Sequence, residues 1–175
     1  MSSQASPSAA LPIAHAVLRI LIVVNWVSAL LILALLFVVP NEEWIIKALK
    51  LSPSLEADRV IFGLQSIAAI GLVLIPLNNA LLKRLLAMVE TVRAGDPFVT
   101  ANAQRLQVIA WILLTMQLLS MAIGAIARSI STPAHPVHLD AGFSISGWLA
   151  VLLTFLLARV FAEGALMRDD LEGTV

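Results

Sequence analysis

The sequence predicts an all-α membrane protein: a four-helix transmembrane bundle with both termini cytoplasmic and its second helix extended into the cytoplasm. Three observations carry this. First, 60% of the 175 residues are hydrophobic and 13% are charged, with a mean hydropathy of +0.97; a water-soluble chain needs more polar residues to cover its surface. Second, four uncharged stretches of roughly 20 residues each, long enough to cross a bilayer core, are bounded by charges or turns: Ile20–Val39, Val60–Leu82, Leu106–Ala127 and Ala141–Ala158. Third, the chain between the second and third stretches is its most sharply punctuated part, RAGDPFVTANAQRL, and reads as an elbow between two helices.

One membrane domain, residues 1–175, follows, with spans at about 13–39, 60–82 (extended to 94), 103–129 and 141–166. The first span starts near Pro12, since proline suits a first helical turn. No basic n-region precedes it and no small-residue cleavage site follows, so it is not expected to be a removed signal peptide. Between the first two spans, Glu43–Leu51 has the pattern of a short interfacial helix anchored by Trp44. Pro76 should kink the second span. Beyond Lys83, Leu85, Met88 and Val92 recur at helical spacing among Arg84, Glu90 and Arg93, so this helix should continue to about Ala94 as an amphipathic extension.

At the elbow, Gly95 suits the left-handed position that closes a helix. Asp96-Pro97 then blocks continuation, because proline lacks an N–H and drives the preceding residue to extended geometry. Phe98 is an apolar anchor, and Thr100 or Asn102 is expected to cap the third helix. Asp140 is the expected cap of the fourth, which should run on through Arg159, Glu163 and Arg168; a carboxylate near the membrane needs a partner, and Arg159 at i,i+4 and Arg105 are the candidates for Glu163.

Basic residues set the orientation. With the termini inside, the inner face holds Arg19, Lys83, Arg84, Arg93, Arg105, Arg159 and Arg168, against Lys47, Lys50, Arg59 and Arg128 outside.

Composition excludes some function classes. No cysteine is present, so no disulfide, thiol nucleophile or Cys-ligated metal exists. A formal net charge of zero argues against direct nucleic-acid binding. His135 and His138, with Asp140, form a His-x-x-His set in the outer loop, the residue types that hold zinc or copper; nothing else in the sequence completes a site, and no metal or cofactor is expected. Neither a nucleophile–base pair nor a second buried carboxylate is visible, so enzymatic activity is not expected. Asn25, Asn78 and Thr154 sit at comparable depth and Gln117 near mid-membrane; lipid offers them no hydrogen bonds, so they should face the bundle and join helices. A polar path through them is the alternative, a small transporter or channel subunit acting as a homo-oligomer.

Gly95-Asp96-Pro97-Phe98 followed by Asn102, Arg105 and Leu106 resembles the central motif of a bacterial membrane family catalogued as domain of unknown function 2975. Val160-Phe161-Ala162-Glu163-Gly164 and the tail Asp170–Val175 resemble that family's closing motif; Ala162 stands where a basic residue is common. The resemblance implies a multi-pass protein of the bacterial inner membrane with no assigned enzymatic activity. Its genes often neighbour one for a small helix-turn-helix DNA-binding regulator, which implies such a regulator as partner at the cytoplasmic face. If both motifs form one cytoplasmic site, Arg105 should pair with Glu163 or Asp96, and the acidic tail should fold back toward Arg84 and Arg93.

Overall fold

The computed structural model describes residues 10–38, 55–131 and 139–172. The interfacial helix expected at 43–51 and the histidines His135 and His138 lie outside these. Among the described residues all regular structure is helical: α1 (Ala10–Val38), α2 (Leu55–Arg93), α3 (Thr100–Ile130) and α4 (Ile145–Glu172). Each contains a segment long and apolar enough to cross a membrane.

Chain order is also spatial order. α1 packs on α2, α2 on α3 and α3 on α4, and the described residues form no contact between α1 and α3, α1 and α4 or α2 and α4. The expected bundle is therefore an open row. α3 sits inside that row and is the most buried span, whereas α1 has most of its surface free. Leucine, valine and isoleucine on such free faces suit lipid as well as they suit a partner helix, so hydropathy alone does not close the ring.

The α3–α4 seam shows how the helices approach. Ala103, Ala110, Gln117 and Gly124 on α3 recur every seven residues and are buried, as are Val151, Ala158 and Ala165 on α4. A seven-residue repeat keeps one stripe facing its partner over many turns, and small residues there let the backbones come close. At one end of the seam the backbone of Ala141-Gly142 crosses Gly124, where a Cβ would lie 2.8 Å from the Gly142 Cα. Gly142 holds φ +134° at this crossing, a conformation that favours glycine. Its N–H donates to the Ser120 hydroxyl at 3.3 Å.

This crossing moves the start of α4. The helix begins at Ile145, not at Ala141 behind Asp140, because the chain is still irregular where it crosses Gly124. Ser144 is the cap instead, its Oγ accepting from the Gly147 N–H at 3.2 Å. At its other end α4 stays helical to Glu172, so the acidic tail prolongs the helix rather than folding back. Arg84 donates to its own Ala80 carbonyl at 3.0 Å.

α2 runs unbroken through Pro76 to Arg93, well past Lys83. Beside Pro76 a polar clasp joins α1 to α2. The buried Asn25 donates from Nδ2 to the Ile75 carbonyl at 3.2 Å, and its Oδ1 accepts from Asn78 Nδ2 at 2.9 Å. Thr154 does not join them. In the row its helix never reaches α1 or α2, and its hydroxyl donates to Ala150 O within α4 at 2.7 Å, an i−4 bond open to any helical threonine. Gln117 is buried in the α3–α4 seam against Gly147 and makes no hydrogen bond from Nε2.

Asn25→Leu removes both clasp bonds and should destabilise the protein by about 0.6–1.7 kcal/mol, the range for interhelical hydrogen bonds in a membrane. Thr154→Val should stay within about 0.5 kcal/mol of wild type. Unfolding in mixed micelles at increasing denaturing-detergent fraction measures both.

Candidate functional site

The elbow is built from the end of α2 upward. Asp96 N–H donates to Thr91 O at 3.0 Å and Gly95 N–H to Val92 O at 3.1 Å. This six-to-one and five-to-two pair is a Schellman closure, with Gly95 at its left-handed position, φ +86°. Helix α2 thus ends with the carbonyls of Thr91 and Val92 satisfied by the turn. The next helix starts without a side-chain cap: Val99 is the N-cap residue in extended geometry, and neither Thr100 nor Asn102 caps it.

Asn102 has a different task. It is fully buried, with no exposed surface. Its Nδ2 donates to the Thr91 hydroxyl at 2.7 Å and to the Pro97 carbonyl at 2.9 Å, while its Oδ1 accepts from Arg105 Nη1 at 2.7 Å. Thr91 Oγ1 in turn donates to Met88 O at 2.7 Å. One carboxamide therefore ties the last turn of α2, the turn itself and the first turn of α3. The side chain could cap its helix or bridge to α2, and burial favours the bridge. A buried amide must fill its hydrogen-bonding capacity, and Thr91 and Pro97 present partners across the turn.

The two sequence motifs meet on the other side of the elbow. The Phe98 ring lies 5.2 Å from that of Phe161, tilted by 35°, within the range of favourable aromatic pairs. Gly164 makes room beneath it: a Cβ there would lie 3.0 Å from Phe98 Cδ1. Asp96 accepts a hydrogen bond from Arg168 Nη1, a half-exposed ion pair that joins the turn to α4.

Of the two partners expected for Glu163, the structure gives it Arg159 and not Arg105. Arg105 is engaged by Asn102 and forms no salt bridge with Asp96 or Glu163. Glu163 pairs with Arg159 at 2.8 Å on the exposed side of α4. Helical geometry gives the reason. Phe161, Gly164 and Arg168 share one face at i, i+3 and i+7, and that face meets the elbow. Glu163 lies on another face with Arg159. The i, i+3, i+7 relation was present in the sequence, and it would have found Arg168. Thr91 carries no comparable signal, because only the elbow's closure brings it to Asn102.

Gly95, Asp96, Pro97, Phe98, Phe161, Gly164 and Arg168 thus form one continuous patch, with Asn102 and Arg105 beneath it. Phe98 keeps 44% of its surface exposed. The patch combines an aromatic edge with a half-exposed acid–base pair, groups suited to recognition.

Asn102→Leu should destabilise the protein by about 2–4 kcal/mol, because it leaves the Pro97 carbonyl and the Arg105 guanidinium without their buried partner. Detergent-induced unfolding followed by circular dichroism measures this.

A family model described as protein of unknown function (DUF2975) matches residues 43–175. That range includes both motifs of the patch. No curated protein and no solved structure is significantly similar to the chain.

Proposed function

The chain belongs to the DUF2975 family, and from that premise we propose that it is a non-enzymatic membrane interaction protein whose elbow patch docks a small helix-turn-helix regulator at the cytoplasmic face of a bacterial inner membrane. The convergence of both motifs carries this reading. Residues 63 and 72 positions apart in sequence are brought together by Phe98 on Phe161 and Asp96 on Arg168. Phe98 remains half-exposed at the polar ends of the helices, where a soluble protein has access. The excess of Lys and Arg at the elbow and the termini supports a cytoplasmic placement. A buried hub beneath a half-exposed aromatic edge suits docking, because a rigid patch loses little entropy on binding.

The transporter or channel reading draws on the polar side chains within the spans. Asn25 and Asn78 spend their amides on one another and on Ile75, which fits helix-joining better than conduction.

Asp96→Asn and Arg168→Ala break the half-exposed pair while leaving the Asn102 hub in place. Both variants should insert normally and should lower capture of the regulator by about tenfold, the effect of 1.4 kcal/mol. The assay is a bacterial two-hybrid measurement against the helix-turn-helix protein encoded beside the family member's gene. Absence of capture by the wild type, or undiminished capture by both variants, overturns the proposal.

A further inference from the structure

On the opposite side of the α3–α4 seam from the elbow hub, an open groove of about 320 Å³ lies between the polar ends of the two helices. Its floor is made of small residues, Ala103, Ala158 and Ala162, the first two buried. Its rim carries the exposed side chains of Gln104, Gln107 and Arg159. At its apolar end Phe155 meets Trp111 edge to face, ring centroids 5.4 Å apart, and Trp111 is 56% exposed. The groove straddles the level where the uncharged stretches of both helices end, at Arg105 and Arg159. Headgroups lie at that depth, and tryptophan concentrates there.

The charge at the rim narrows the occupant, for Arg159 lines the groove and Glu163 stands beside it, paired to that arginine. Arg159 Nη2 and Glu163 Oε1 are 2.8 Å apart with side chains 78% and 54% exposed. An exposed pair of this kind adds little to stability, and arginine four residues before glutamate is the weaker order on a helix. The two groups are thus free to open around a ligand and present a cation and an anion side by side. A phosphate alone would meet the Glu163 carboxylate as well as Arg159. A ligand with a phosphate and an N–H-bearing ammonium two carbons away matches both charges.

We propose that this groove seats the headgroup of a phospholipid bearing both a phosphate and a primary ammonium, of the phosphatidylethanolamine type. The phosphate accepts from Arg159 and from the amides of Gln104 and Gln107. The ammonium donates to Glu163, and an acyl chain lies over Phe155 and Trp111. Phosphatidylcholine has no N–H to give Glu163, and phosphatidylglycerol has no cation to set against it. The site is independent of what docks on the elbow patch.

Native mass spectrometry of the purified full chain, titrated separately with phosphatidylethanolamine, phosphatidylcholine and phosphatidylglycerol, tests this. Wild type should retain phosphatidylethanolamine about tenfold more strongly than either of the others, the worth of one charge-assisted contact. Arg159→Ala should lose that retention. Glu163→Gln should remove the preference over phosphatidylglycerol by relieving the repulsion on phosphate. Ala162→Leu fills the groove and leaves both charges, and it should lower retention of all three lipids. Circular dichroism gives the helicity of each variant, and the exposed Arg159 and Glu163 positions keep the test informative should Ala162→Leu misfold. Equal retention of the three lipids by wild type, or undiminished retention by Arg159→Ala, overturns the proposal.

Discussion

The elbow depends on the absence of water around one carboxamide. Asn102 is fully buried, and a buried amide left unpaired costs more than its bonds contribute when made. Its bonds to Thr91, Pro97 and Arg105 therefore fix three pieces of chain at once: the end of α2, the turn and the start of α3. With the turn fixed, Phe98 and Asp96 point toward α4, and Phe161, Gly164 and Arg168 receive them. Without that amide the turn would keep the helix closure at Gly95 but lose its bridge from the end of α2 to the start of α3.

The same rule orders the rest of the protein by depth. In the α1–α2 interface the clasp of Asn25 and Asn78 sits beside Pro76, where proline withholds one backbone donor. In the α3–α4 interface small residues dominate, and the buried Gln117 is accommodated by Gly147. Charge is kept to the ends: Asp96–Arg168 at the elbow and Arg159–Glu163 beside the lipid groove. Polar chemistry is thus divided between neutral amides within the spans and ion pairs at their ends, as the cost of burying charge in hydrocarbon requires.

Much of this was legible in the sequence, because its signals are local. Uncharged length marked the spans, Gly95-Asp96-Pro97 marked the elbow, and the helical spacing after Lys83 marked the continuation of α2 to Arg93. Non-local pairing was harder to read. Arg105 was expected to reach Glu163, yet the buried Asn102 stands closer and claims it. Thr154 was expected to meet Asn25, but depth along a helix does not say which helices are neighbours. The start of α4 was displaced from Asp140 to Ser144 by the crossing at Gly124, a contact between segments that no spacing rule connects. Apolar composition shows that a face is greasy without showing whether lipid or protein covers it, so the open row was not visible either.

Because each helix touches only its neighbours in the chain, no helix–helix contact among the described residues must wait for the last helix before the first can settle. The α1–α2 clasp can form before α3 has been made, and the Asn102 hub before α4 has. Assembly can therefore keep pace with synthesis, one hairpin at a time, and no large loop has to be closed late. The open row thus lets the order of residues in the gene be also the order of events in the membrane.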